Sequence, residues 1–334
     1  MKNTGIAGLF FFTLLSVQVC NSFGQALSVG VGLGATGFLG DLGGANYIGR
    51  PFVFDLEKSL TKPAASLFLH YSISRRVSFK GGLTYTSVAG DDKLIQPTSM
   101  FSPEWFRWYR NLSFQSTIIE GAVTCEVNLK QFVPGSKRYR FAPYLFAGFG
   151  VFHFNPKTTY NGQLIELRPL HTEGEGFDSL GVKEYSLIQP VIPAGIGLRY
   201  NLSSSAMISF EYRNNFSFTD YIDDVSKKYV SQSQFNQYFS DPATAALAFD
   251  VSARSDELDP EGIYAVTTAP GQQRGDKNKD QYEIFQVSLS FILFNNTMGS
   301  SGFSSRRIYA HRVKHTDDMF RHKPGKQYYY NKTK

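Results

Sequence analysis

Six charged side chains, Lys80, Glu120, Glu126, Arg199, Glu211 and Arg213, lie in segments where apolar and polar residues alternate, and each falls on the polar side of its segment. Three are cationic and three anionic. Gathered on one side of a sheet they admit two chemistries: a path for protons or ions, or a set of pairs that neutralise one another inside a closed interior. The interior of an eight-stranded barrel is just wide enough for its own side chains. The expectation is therefore a lumen charge network that plugs the barrel.

Other constellations meet fewer of their chemistry's requirements. His153 and Ser186, with Glu184 nearby, are the residue types of an acyl hydrolase. No nucleophile motif surrounds Ser186, so the chain is read as non-enzymatic, with no catalytic residue and no cofactor. Asp276, Asn278 and Asp280 have the opening spacing of a calcium loop, but the turn glycine and the closing bidentate glutamate are missing. A solvated loop without metal is the reading. Arg274-Gly275-Asp276 is too short a match to mean cell adhesion. Trp105, Phe106, Trp108 and Tyr109 gather both tryptophans in one loop. Aromatic belts at a membrane interface have this composition, and a ligand-binding surface is the alternative.

The segments that must position the charged groups read as β-strands with one apolar face, because the alternation has period two. Leu27, Val29, Val31, Leu33 and Ala35 alternate with Ser28, Gly30, Gly32, Gly34 and Thr36. Two more strands, 65–73 and 77–86, flank Ser74-Arg75-Arg76, and others follow at 118–129, 141–154, 192–201, 207–213 and 285–294. The last closes on Phe294, the kind of terminal aromatic that marks outer-membrane assembly signals. Along 141–154 the polar face is thin, with Tyr144, Phe146 and Phe152 on it.

The links between strands alternate strictly. Those at 74–76, 130–140 and 202–205 are short, and those at 37–64, 88–115, 155–188 and 217–282 are long. Every long loop then lies at one end, as in bacterial outer-membrane barrels with short periplasmic turns. A soluble ligand-carrying barrel would need an apolar lumen, whereas here the inward face is charged. On a lipid face each Arg or Lys near the midplane would cost about 2–4 kcal/mol. The fold class expected is all-β: an eight-stranded antiparallel transmembrane β-barrel with long external loops and a basic C-terminal tail. It would sit in outer-membrane lipid with both termini periplasmic.

The chain ends fit that address. Lys2, the apolar run 6–19 and the small residues up to Gly24 have the order of a secretory signal, with cleavage before Gln25. The run is shorter than the roughly 20 residues of a spanning helix. A lipoprotein signal would use Cys20, but Val19 is bulky where a small residue is wanted. The mature chain keeps only Cys125 and so has no internal disulfide.

Residues 1–24 are thus assigned to a signal peptide, 25–294 to the barrel and 295–334 to a tail. The formal charge of +6 belongs to that tail, where nine Lys and Arg face only Asp317 and Asp318. Arg306, Arg307, Arg312, Lys314, Arg321 and Lys323 are its candidate partner-binding residues, interleaved with His311, His315, His322 and Tyr328-Tyr329-Tyr330. Basic residues among aromatics also suit nucleic acid, but a periplasmic compartment excludes that partner. The remaining readings are a disordered extension attracted to anionic headgroups or wall polymers, and a segment that docks on a periplasmic protein.

Several junctions carry composition that barrel physics does not require. These are Gly40-Asp41-Leu42-Gly43-Gly44, Arg110-Asn111-Leu112-Ser113-Phe114, Arg140 to Gly148 and Phe152 to Lys157. Further on come Leu170-His171-Thr172-Glu173-Gly174-Glu175-Gly176, Gln189-Pro190-Val191-Ile192-Pro193 and Thr219 to Ser226. In this order, across residues 27–294, they resemble the PorG-related outer-membrane barrels of the Bacteroidota. The resemblance implies an eight-stranded barrel that is a structural component of the type IX secretion machinery and contacts its periplasmic ring. A stand-alone barrel for envelope anchoring or surface interaction is the alternative.

Overall fold

Among the described residues, alternation becomes architecture in ten antiparallel strands. The computed structural model describes residues 25–42, 60–276 and 278–295. The signal-peptide assignment, Gly43-Gly44 and the basic tail with Arg306, Arg307, Arg312, Lys314, Arg321 and Lys323 lie outside the described residues.

Eight strands form the wall: β1 (Ala26–Leu39), β2 (Lys62–Ser72), β3 (Val77–Asp91), β4 (Ser113–Asn128), β5 (Phe141–His153), β8 (Ile188–Asn201), β9 (Ala206–Ser217) and β10 (Gln281–Asn295). Each pairs with its sequence neighbour in the wall, and β1 pairs with β10 from Ala26↔Asn295 to Leu39↔Gln281, which closes the barrel. Closure leaves the wall no free edge. A hairpin of β6 (Pro156–Tyr160) and β7 (Gln163–Glu166) pairs on β4 through Gln115↔Lys157 and extends the wall at the long-loop end. From the sequence alone this segment is part of the long link 155–188.

The two faces divide as the pleat requires. Outward residues are aliphatic or aromatic and bare: Leu33, Leu67, Leu83, Val123, Val287 and Phe291 are exposed, and Phe149 is 77 % exposed. Inward, Ser28, Thr36, Ser78, Thr84, Thr124, Ser288 and Ser290 are buried. A bare apolar exterior around a polar, filled interior is the build of a membrane-spanning barrel. The inward glycines of β1 make room for the filling: a Cβ at Gly30 would collide with the Phe68 ring, and one at Gly32 with Gln286 and Ser66.

Both ends are closed by the chain itself. At the short-turn end the link between β4 and β5 folds under the barrel, and Phe132 packs with Ala142, Met207 and Ile292. Asn201 pins that link, its Nδ2 donating to the Val133 carbonyl at 2.9 Å and its Oδ1 accepting from Gly135 N–H at 3.2 Å.

At the other end the described parts of the long loops are folded rather than trailing. They contain α1 (Pro103–Arg110), α2 (Gln232–Tyr238) and α3 (Pro242–Ser252). Each helix has a start signal in sequence. Ser102 caps α1 ahead of Pro103, Ser231 and Gln234 form a capping box on α2, and Asp241 caps α3 ahead of Pro242. α2 and α3 share a hydrophobic core with the rim of the barrel, including Leu112, Phe154, Phe177, Ile222, Phe235 and Tyr282. The loops therefore make a cap.

Candidate functional site

Inside the wall the six charged residues form two groups. In the first, Glu126 is ion-paired with Arg199 and accepts from Ser78 Oγ at 3.2 Å. The His70 Nε2 atom lies 3.0 Å from the same carboxylate, and Lys80 Nζ lies 3.4 Å from its other oxygen. Lys80 also reaches Glu211 at 2.5 Å, where Tyr144 OH donates to the same oxygen at 2.5 Å. The Arg199 guanidinium stacks over the Tyr144 ring at 3.8 Å. In the second group Arg213 pairs with Glu120 at 3.1 Å, and Tyr282 OH donates to that carboxylate at 2.6 Å.

Each group balances its charge, two against two and one against one. Buried charges persist only when paired and hydrogen-bonded. The cavity left among Phe68, Lys80, Glu126, Tyr144, Arg199 and Glu211 is about 20 Å³, room for about one water. His70, Ser78, Tyr144 and Tyr282 were absent from the sequence-based set, although His70 and Tyr144 have the same inward parity as the charges.

Among the described residues the cap buries three arginines, Arg110, Arg254 and Arg274, and the first and last gather most of its segments. Arg110, last residue of α1, donates to both oxygens of Asp92 at 2.8 and 2.9 Å and to the carbonyls of Arg274 and Asp41 at 2.8 and 2.7 Å. Burial works against the guanidinium charge, but the Asp92 carboxylate beside it outweighs burial and holds the pKa above its ordinary value, so Arg110 stays charged. Arg274 donates to Glu173 at 3.2 Å and to the Asp224 and Ser252 carbonyls at 2.6 and 3.0 Å. Glu173 in turn accepts from the backbone of Ser226 and Lys227 at 2.8 and 2.7 Å.

Asp224 accepts from Thr172 Oγ1 at 2.5 Å and Tyr185 OH at 2.6 Å. Burial lifts its carboxyl to about 6 against the pull of Arg274. Burial, reinforced by Asp224 and Glu173, lifts Glu175 to about 8. The segments that meet here are those whose composition exceeded what a barrel needs: Asp41-Leu42, Arg110-Asn111-Leu112, Thr172 to Glu175 and Asp220 to Ser226.

The remaining sequence candidates resolve differently. Ser186 Oγ donates to the Ile188 carbonyl at 3.0 Å, while Glu184 is held by Arg168 at 3.1 Å. Ser186 serves its local turn, and Glu184 ties that segment to the turn at Arg168. Trp105 and Tyr109 are buried and stacked at 4.9 Å, with Tyr264 edge-on to Trp105 at 5.4 Å. These two are cap core rather than an interfacial belt, while Phe106 is exposed and Trp108 half-buried. Arg274 is buried in its pair with Glu173, so the Arg-Gly-Asp tripeptide is not displayed. Asp276 does not form a calcium loop with Asp280, which turns inward to accept from Ile222 N–H at 2.8 Å. It lies instead with Asp41 and Asp220, one carboxylate oxygen of each within 4.8 Å of the others.

Fold and site together define a closed, capped transmembrane β-barrel whose lumen is filled by neutralised charge. The chain belongs to the family described as "Domain of unknown function (DUF6089)", whose model matches residues 7–240. No curated protein matches the sequence.

Among solved structures the chain is similar to the attachment invasion locus protein Ail of Yersinia pestis in complex with the heparin analogue sucrose octasulfate (7 % identity, 80 % of this chain and 97 % of that one, TM-score 0.32). It is also similar to Neisserial surface protein A (8 %, 80 % and 98 %, 0.35). A third is the outer membrane protein OprG of Pseudomonas aeruginosa (8 %, 81 % and 98 %, 0.31).

Proposed function

We propose that this protein is a non-enzymatic, non-conducting barrel of the outer membrane, a structural component of the type IX secretion machinery. The observation that carries the non-conducting reading is the sealed interior. Lys80, Arg199 and Arg213 are neutralised by Glu126, Glu211 and Glu120, with Phe132 closing one end and the cap core the other. Such a barrel anchors and presents; it does not transport. The secretion role is supported by the resemblance of the junction segments to PorG-related barrels. In that role β1 would start and β10 end on the periplasmic side, the basic tail would meet the periplasmic ring, and no nucleic acid would be bound.

A second reading, a stand-alone barrel for envelope anchoring or surface interaction, is favoured by one observation. Four of the segments that carry the resemblance, at Asp41-Leu42, Arg110 to Leu112, Thr172 to Glu175 and Asp220 to Ser226, meet in the cap, at the end opposite the two chain ends of the barrel. One measurement separates the readings, and a second tests what they share. Pull-down of the tagged protein from solubilised membranes recovers periplasmic ring proteins under the first reading and none under the second. Planar-bilayer recordings show no steady conductance under either, and a large open state would overturn both.

A further inference from the structure

Three chain segments deliver carboxylates to one point of the cap. Asp41 follows β1, Asp220 follows β9, and Asp276 precedes β10; one oxygen of each lies within 4.8 Å of the other two. Three such groups at this distance repel one another unless protons or a cation stand between them. Among the described residues no Lys or Arg forms an ion pair with any of the three. Arg110 is committed to Asp92 and to two carbonyls, one of them that of Asp41.

Asp220 supplies a separate observation. Its side chain is buried, at 2 % exposure, with one oxygen accepting from Ser226 Oγ at 2.7 Å. Its Oδ1 atom is buried and has no hydrogen-bond partner. A buried carboxylate oxygen left unsatisfied costs on the order of 1–3 kcal/mol or more. A metal ion at the cluster would satisfy it.

The three carboxylates are also held in place from behind. Asp223 Oδ2 accepts from Leu42 N–H at 3.1 Å, fixing the residue after Asp41. Asp280 Oδ2 accepts from Ile222 N–H at 2.8 Å, fixing the strand of chain that carries Asp220. Asp41 Oδ2 accepts from Asp276 N–H at 2.9 Å, which ties the third segment to the first.

We propose that Asp41, Asp220 and Asp276 form a divalent-cation site of the Ca²⁺ class, which clamps the ends of β1, β9 and the loop before β10 in the cap. The donor set is oxygen only, with neither His nor Cys, which selects a hard cation over zinc or copper. Three monodentate carboxylates from separate segments leave further positions for water, a mode that Ca²⁺ accepts through its flexible coordination.

The test uses the full mature chain in detergent micelles, with Tb³⁺ luminescence and Ca²⁺ competition as the readout and heat-modifiable gel mobility as the check that the barrel is folded. One saturable Tb³⁺ site per chain, displaced by Ca²⁺, is expected. Asp276→Asn and Asp41→Asn should each weaken binding at least tenfold, while Asp178→Asn, an exposed acidic position of the cap, should leave it unchanged. Ca²⁺ should also slow protease cleavage of the cap in the unsubstituted chain and not in Asp276→Asn. No saturable binding at millimolar Ca²⁺ would overturn the assignment, as would equal affinities for Asp276→Asn and the unsubstituted chain, or an equal loss in Asp178→Asn.

Discussion

The guanidinium of Arg199 on β8 is ion-paired with Glu126 on β4 while lying flat over the Tyr144 ring, so one side chain satisfies a buried carboxylate and fills the lumen at once. The planar, weakly hydrated guanidinium suits both tasks, which a lysine ammonium would not.

Removing one member of that pair leaves the other charged and buried. Arg199→Met should therefore cost about 3–5 kcal/mol, and the double variant Glu126→Gln/Arg199→Met should recover much of the loss. Urea unfolding in lipid vesicles reads both. A single variant as stable as the unsubstituted chain would mean that the pair carries no structural weight.

The lipid-facing assignment can be tested at adjacent residues of β3. Leu83 is 63 % exposed on the outer face, whereas Thr84 points inward to Arg213, 3.3 Å from its guanidinium. Leu83→Arg should destabilise the barrel in a bilayer by about 2–4 kcal/mol, and Leu83→Val should change it little. If Leu83→Arg folds into vesicles with undiminished stability, that face does not meet hydrocarbon.

Arg110 governs the cap but not the wall. Arg110→Lys keeps the charge but loses the two-pronged contact with Asp92 and at least one carbonyl bond. Limited proteolysis should then cut in 92–112 or 254–276 at least several-fold faster, with heat-modifiable mobility of the barrel unaltered. Unchanged cleavage would show that the cap holds together without this arginine.

Glu175 makes cap stability depend on pH in a defined direction. Its folded-state value of about 8 lies above the ordinary 4.5, so the folded cap binds a proton that the open cap releases. Stability from this group is fully present below pH 4.5 and lost as pH rises through about 8. Glu175→Gln should remove that slope and make the cap more protease-resistant than the parent at pH 9, with little difference at pH 5. Equal resistance of the two proteins at pH 9 would exclude the mechanism.

Alternation along single strands determined which residues face lipid and which face inward, because the side-chain period of two is a property of the local backbone. The same local pattern placed Lys80, Glu120, Glu126, Arg199, Glu211 and Arg213 on one face, and the alternation of short and long links placed every long loop at one end. Other local signals were present but hidden by loop-like composition. Ser102-Pro103, Ser231 with Gln234, and Asp241-Pro242 each mark a helix start inside a segment otherwise read as loop.

Only the tertiary structure decided who pairs with whom. Lys80 meets Glu211 across 131 residues of sequence, and Asp41 meets Asp276 across 235. Such contacts depend on closure of β1 against β10 and on loops packing over a shared rim core, neither of which leaves a periodic trace. A polar residue in a long loop reads as solvated until another loop buries it. That is why Arg110, Arg274 and Glu173 stand in segments of unusual composition, yet their pairings, which hold the cap together, exist only in the folded chain.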